Sequence, residues 1–356
     1  MMTSLQKLNR FFMLITAPFI GLLMYLLLLQ PTLDLSSLAP KEAHIPQNTI
    51  ISQTEDISQG LAEAKVLAET TSSYIQKTTE LYENTTKTMN SIANMTAAQA
   101  RKPEAIYNKR ISAKLGTPIE QVNSDRIRIE LYKMNPGLYK GYAMKIKLKD
   151  PSAMKMSIGE GVGKSQTTMQ AVARSGAVAG INAGGYADAG GSRYPLSTTV
   201  ANGKYLTGFH PSTKDLSFVG LSKEGKLIGG RFTKQSDLDK LEPAFGATFV
   251  PMLLKDGKKL IIPSKWKTTP KRAPRTVIAN YKDDQLLILV VDGYDEKGSS
   301  GATLQELQNK MYKLGVQNGY NLDGGGSSSL ILNGRVVNTP SDGVLRKLPT
   351  HFLFFE

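Results

Sequence analysis

The chain contains no cysteine among its 356 residues. Disulfides, thiolate metal sites and a cysteine nucleophile are therefore excluded. Histidine is scarce as well. His44, His210 and His351 are scattered and fall in no metal-ligand spacing. That argues against a histidine triad and leaves acid–base work to carboxylates. A nucleotide phosphate loop is also missing. Gly159-Glu160-Gly161-Val162-Gly163-Lys164-Ser165 approaches the motif, but Ile158 occupies the position of its first glycine. The stretch reads as a loop entering a helix over 166–173, its amides available to a neighbouring site. Between residues 47 and 102 there is no proline, and Gly60 is the sole glycine.

What is present begins with charge. The formal net charge is +14. Residues 1–103 hold eight basic and eight acidic residues, so 104–356 carries the whole excess. A domain this basic attracts polyanions. Nucleic acid, an anionic headgroup and a phosphate-containing cell-wall polymer all satisfy that criterion.

Topology selects among them. Residues 11–29 are apolar or small and carry no charge. About 19 such residues suffice to cross a bilayer core as a helix. Lys7 and Arg10 precede the run and Asp34 follows it, which leaves the short N-terminus in the cytoplasm and the rest outside. The competing interpretation is a cleaved signal peptide, but Gln-Pro-Thr-Leu-Asp-Leu after Leu29 makes a poor cleavage site. An extracytoplasmic domain on a single-pass anchor in a cell membrane (a bacterial one) is the expectation, and it disfavours nucleic acid.

Residues 47–102 are rich in Thr, Ala, Glu, Lys and Gln. Leu67, Tyr74, Leu81 and Met95 recur by sevens, with Ile75, Tyr82 and Met89 beside them. The pattern predicts a long helical stalk ending at Arg101-Lys102-Pro103. Fully helical, it would reach about 80 Å. A disordered polar spacer is the alternative. The stripe allows self-association, although Thr71, Thr78 and Thr85 make a poor coiled-coil core.

Beyond residue 104 the pattern changes to short runs broken by Gly, Pro and Asp. Strands are expected over 126–132, 142–148, 177–182, 244–254, 276–281, 286–291 and 351–355. A helix is expected over 303–314 with Gly315 just past its end. Asn333-Gly334 marks a hairpin with a type I′ turn. The fold class is α+β: a mixed β-sheet domain with packed helices, preceded by one transmembrane helix and the helical stalk. The segments are 1–32, 33–103 and 104–356.

Five places in that domain could carry chemistry. Asn321-Leu322-Asp323 ends an apolar run and leads into Gly324-Gly325-Gly326-Ser327-Ser328-Ser329. Such a loop can surround an anion or sugar with amides and hydroxyls while Asp323 supplies a carboxylate. Asn182 ends a strand ahead of Gly184, Gly185 and Tyr186, an amide and an aromatic suited to a sugar. Arg275 opens a strand and can grip a phosphate. Asp292 closes a strand before Gly293. Glu306 lies one turn into the following helix. Each also reads as an ordinary turn or solvated residue.

Taken together, these motifs resemble the phosphodiester glycosidase family, whose members include the lysosomal uncovering enzyme and bacterial exopolysaccharide-associated proteins. The resemblance runs through Ile-Asn-Ala-Gly-Gly-Tyr at 181–186, Pro-Arg-Thr at 274–276, Val-Val-Asp-Gly at 290–293, Thr-Leu-Gln-Glu-Leu at 303–307, Asn-Leu-Asp-Gly-Gly-Gly-Ser-Ser at 321–328 and Pro-Ser-Asp-Gly at 340–343. It covers roughly residues 140–356. It implies hydrolysis of a bond between a sugar's anomeric carbon and a phosphodiester oxygen. Asp323, Glu306 and Asp292 would be catalytic. Asn182, Gly184, Gly185, Tyr186, Arg275, Gly324, Gly325, Gly326, Ser327 and Ser328 would bind substrate, with Asp342 a further candidate. Ala187 follows Tyr186 where many members carry a second aromatic. No cofactor is implied. No ligand spacing demands a metal ion, though the acidic positions leave room for a divalent one. The substrate expected from the resemblance is a sugar phosphodiester in a cell-surface glycan or glycolipid. The competing role is a non-catalytic module binding an anionic envelope polymer.

Overall fold

The computed structural model describes residues 16–21, 24–25, 28, 47–293 and 301–356. Among them no helix is long and apolar enough to cross a membrane. The expected span over 11–29 lies largely outside the described residues. The chain divides into two units, residues 1–92 and 93–356.

One helix, Gln47–Leu115, carries the stalk sequence. It runs on past Pro103, so the expected boundary at 103 falls inside it. Its threonines are accommodated by bonding inward. Thr70, Thr71, Thr78, Thr79, Thr85 and Thr88 each donate their hydroxyl to the carbonyl four residues earlier.

Within the second unit the end of this helix is fastened by a buried ion pair. Lys145 Nζ lies 2.6 Å from Glu130 Oε2, with both side chains almost fully buried. The same ammonium donates to Asn108 Oδ1 and Ser112 Oγ on the helix. Tyr132 donates its hydroxyl to Glu130 at 2.7 Å. Burial works to raise the Glu130 pKa, but the hydrogen bonds from Lys145 and Tyr132 outweigh it and hold the carboxyl below its ordinary value. Burial depresses the Lys145 pKa.

An eight-stranded sheet organises the unit, in the order Glu120–Asn123, Ile127–Met134, Gly141–Leu148, Leu286–Val291, Arg275–Asn280, Asn318–Asn321, Met252–Lys255, Lys258–Lys259. Leu286–Val291 is buried at all six positions. Leu286, Ile288 and Val290 enter the core shared with the other sheets, while Leu287, Leu289 and Val291 face the helix Leu304–Leu314 and its neighbours. Two covered faces explain its unbroken apolar sequence.

A second sheet runs Arg335–Val336, Leu330–Leu332, Ala179–Asn182, His351–Phe354, Met154–Ser157. A third is centred on Ser217–Ser222 and Pro243–Phe249. The domain is α+β. Its described ladders are antiparallel where a mixed sheet was expected. The strand expected over 244–254 divides at Val250-Pro251, and its halves join different sheets. Pro251 has no N–H for a ladder, so one strand cannot run through it.

Local signals fared well. Thr303 caps Leu304–Leu314 through a capping box with Glu306, and Gly315 ends that helix in the left-handed region at φ 85°. Thr167 and Gln170 cap Thr168–Ser175 in the same way, which moves that helix two residues beyond its expected start. Asn333 and Gly334 take φ of 49° and 69° in the expected hairpin.

Candidate active site

Three chain segments meet at one end of the large sheet. Val277 pairs with Asn321 and Arg275 with Val291, so the residues just beyond those pairs, Asp323 and Asp292, emerge at the same sheet end. Pro274 lies between them. Its carbonyl accepts the Gly325 amide at 2.9 Å, while Gly293 packs against its ring.

Asn182 arrives from the second sheet and ties the segments together. Its side chain is fully buried. Nδ2 donates to the Asp323 carbonyl at 2.6 Å. Oδ1 accepts from Thr276 Oγ1 at 2.8 Å and from the Ser329 amide at 3.1 Å. A buried chain continues beneath it, from Ser329 Oγ to Thr168 Oγ1 and on to His351 Nδ1. Burial pushes the His351 pKa down to about 4, so the ring is neutral there. Asn182 was expected to touch substrate. Instead its amide is occupied by protein, and it positions the Asp323 turn from below.

Asp323 is the group the arrangement presents. Its Oδ1 accepts the Gly324 amide at 3.1 Å. Its Oδ2 is buried with no protein partner among the described residues, and so is the Ser328 hydroxyl of the same turn. Orphaned buried polar atoms in one turn are rare and call for an explanation. Burial pushes the Asp323 carboxyl up to about 6, against the lowering effects of the Ser327 hydroxyl, the Gly324 amide and the Arg346 and Arg193 cations.

Those two arginines were not anticipated. Arg346 Nη2 pairs with Asp342 at 2.6 Å, and Arg346 Nη1 donates to Ser327 Oγ at 3.3 Å. Asp342 and Tyr186 hold the Arg346 pKa above its ordinary value although burial opposes them. Arg193 stacks 4.5 Å from the Tyr186 ring centre and bonds Asp188. The Pro-Ser-Asp-Gly motif did flag the loop that carries Arg346. Arg193 lies in the second strand of the Tyr186–Ala189/Ser192–Pro195 hairpin, beyond the motif that ends at Tyr186.

The loop at 339–346 crosses the site. The Thr339 amide donates to Asp292 Oδ1 at 2.7 Å, Ser341 packs on Gly293, and Asp342 and Arg346 close over Gly326. Asp292 lines a cavity of about 310 Å³ with Lys133, Lys140 and Tyr142. A Cβ at Gly326 would overlap the Arg346 guanidinium and the Asp342 carboxylate. Both are ends of flexible side chains, so Gly326→Ala is expected to leave unfolding stability within about 1 kcal/mol. It should displace the ion pair from Ser327, and activity should fall at least about tenfold. Parallel urea and rate measurements check this.

Other expected residues take structural roles. The described contacts place Glu306 with the helix terminus rather than with Asp323. It accepts the Thr303 amide at 2.8 Å, pairs with Arg272 at 3.0 Å and lines a separate cavity of about 540 Å³ with Lys114 and Tyr139. Burial opposes its charge, but Thr303 and Arg272 hold its pKa below the ordinary value. Gly184 and Gly185 are small because side chains there would strike Ala247 and Phe249. The Gly324 amide bonds the Asp323 carboxylate and the Gly325 amide bonds the Pro274 carbonyl, so both are occupied by protein. Arg275 is buried, donates to the carbonyls of Ala302 and Pro270, and has its pKa lowered to about 10 by burial. Among the described residues no group of three or more His, Asp or Glu is placed to hold a metal ion.

Comparison with known proteins settles the family. The phosphodiester glycosidase family model matches residues 175–355, half of the chain, a range that includes Asn182, Arg275, Asp292, Asp323 and the loop at 339–346. The chain belongs to the phosphodiester glycosidase family. It is 29% identical over 137 residues to bovine N-acetylglucosamine-1-phosphodiester alpha-N-acetylglucosaminidase, which is 35% of this chain and 26% of that protein. It is 35% identical over 95 residues to an uncharacterized prophage-derived protein of Bacillus subtilis, 26% of this chain and 15% of that one. The match thus spans about a quarter or less of these relatives' length. The catalytic domain of zebrafish N-acetylglucosamine-1-phosphodiester alpha-N-acetylglucosaminidase, auto-inhibited by its pro-peptide, superposes with a TM-score of 0.55 at 19% identity. That superposition covers 68% of this chain and 87% of the zebrafish domain and shows a shared fold.

Proposed function

We propose that this phosphodiester glycosidase family member hydrolyses a sugar-1-phosphodiester, with Asp323 as the carboxyl group acting at the anomeric carbon. The observation that carries the proposal is the Asp323 side chain. It is a carboxyl raised to about 6, with one buried oxygen lacking a protein partner among the described residues and two arginines beside it. Such a constellation is costly to a fold and useful to a reaction.

Glycoside cleavage proceeds through an oxocarbenium-like state. The C1–O bond breaks with its electron pair going to the phosphate oxygen. Ionised Asp323 stabilises the positive charge growing at C1, water delivers hydroxyl to C1, and its proton passes to solvent. Phosphate leaves well without a strong acid. Arg346 and Arg193 offset the charge on the departing group. Asp292, on the far side of Pro274, is the second carboxylate of the site in place of Glu306.

The substrate in this reading is a glycan or glycolipid at the outer face of a membrane, reached by a domain that residues 11–29 anchor. Support comes from the uncharged apolar run, the flanking cations and the basic charge of 104–356.

The test is the full chain in detergent, incubated with sugar-1-phosphodiesters and matched neutral glycosides, with free reducing sugar measured. Release at least tenfold faster from the phosphodiesters is the expected result. Binding without product across the panel would replace the enzyme with a binding module.

A further inference from the structure

The helix over residues 57–92 carries a seam that the sevenfold recurrence only partly revealed. Beginning at Ile57 and stepping alternately by four and three to Ile92, eleven consecutive positions hold only apolar residues or threonine. Nine charged residues lie between 55 and 92, and none falls on this seam. The large members, Ile57, Leu61, Ile75, Tyr82, Met89 and Ile92, are 58–71% exposed. A strict seven-residue repeat is the period that lets helices wrap around one another.

Threonines at 71, 78 and 85 make this seam look polar in the sequence. The structure removes the objection. Each of their hydroxyls is 2.7–2.8 Å from the carbonyl of Leu67, Tyr74 or Leu81. With the hydroxyl occupied inside its own helix, each threonine can present its methyl group outward. Leu67, Tyr74 and Leu81 flank the seam on one side and widen it; they are 67–73% exposed.

We infer that the occupant of this seam is a second copy of the same helix, parallel and in register. The area is sufficient. Burying the large side chains of the seam and flank at about 60–120 Å² each removes roughly 600–900 Å² per helix, near the about 800 Å² per partner of stable interfaces. Identity of the partner follows from the seam itself. In parallel register each threonine layer meets the same threonine layer, and every isoleucine or methionine meets its own copy, so no seam position faces a charge. The parallel sense rests on the anchoring reading, in which both copies leave one membrane in one direction. Turnover by the distal domain plays no part in the inference.

The absence of native cysteine makes the test clean. Full-length chains bearing Thr71→Cys, Thr78→Cys or Thr85→Cys are oxidised mildly in detergent and run without reductant. Lys77→Cys, Glu80→Cys and Glu83→Cys, which point off the seam, serve as controls. The seam positions should give at least tenfold more disulfide dimer than the controls. Equal yields at all six, no dimer at any, or dimer at Thr78 without Thr71 and Thr85 (the antiparallel result) would each overturn the inference. So would a monomeric mass for the wild-type chain in the same detergent.

Discussion

Asp323→Asn is expected to abolish release of sugar and to make the protein more stable at neutral pH. Stabilising the charge that develops in the transition state is worth about 10²–10³-fold for a single group, so the rate should fall by that order. The stability gain follows from linkage. The folded-state pKa is raised from 3.8 to about 6. The folded chain therefore holds this proton more tightly than the unfolded chain does. Below pH 3.8 the side chain is neutral in both states and carries no penalty. As pH rises from 3.8 through about 6 the penalty for a buried carboxylate builds up, and above that it is fully present. Asparagine removes it. Discounted for the partial exposure of the residue, the gain is about 1–2 kcal/mol at pH 7. Urea unfolding at pH 4 and pH 7 checks this, because wild type and variant should differ at pH 7 and converge at pH 4. In wild type, activity should rise with pH through about 6, since the ionised form acts at C1. A rate that falls through the same range would make Asp323 the acid instead. Full activity in the variant would remove it from the reaction.

Lys145→Met is expected to cost about 3–5 kcal/mol of folding stability, the largest single loss foreseen away from the hydrophobic core. The substitution leaves the Glu130 carboxylate buried, with Tyr132, Arg128 and a long 3.4 Å bond from the Ser112 hydroxyl as its remaining partners. It also removes the ammonium that Asn108 and Ser112 accept from, so residues 105–115 of the helix should loosen first. Amide exchange across that segment reads the loss directly. The double variant Lys145→Met/Glu130→Leu should recover much of it, because no uncompensated charge remains. If the single variant costs less than 1 kcal/mol, the helix end is held by apolar packing around Ile111 instead.

Much of the fold could be read locally because its signals are local. Thr303, Glu306 and Gly315 bound a helix by capping chemistry that acts within a few residues. Asn333-Gly334 sets a hairpin by its dihedral preferences. Leu286–Val291 announces a strand with two covered faces. Where nonlocal choices decided, the reading fell short. Pro251 sends the halves of one apolar run into different sheets. The helix continues through Pro103, which composition took for its end.

The chemistry divides in the same way. Sequence alone fixed which segments could build a site, since the glycines, serines and acids near 182, 275, 292 and 323 are written in the chain. It could not assign their work. A side chain's role depends on what approaches it across the fold, and that is set by packing between strands far apart in sequence. Tertiary structure turned Asn182 into a buried strut, gave Glu306 to its own helix cap and to Arg272, and brought Arg346 and Arg193 to Asp323. Burial, a property of the assembled fold, then raised that one carboxyl toward neutral pH.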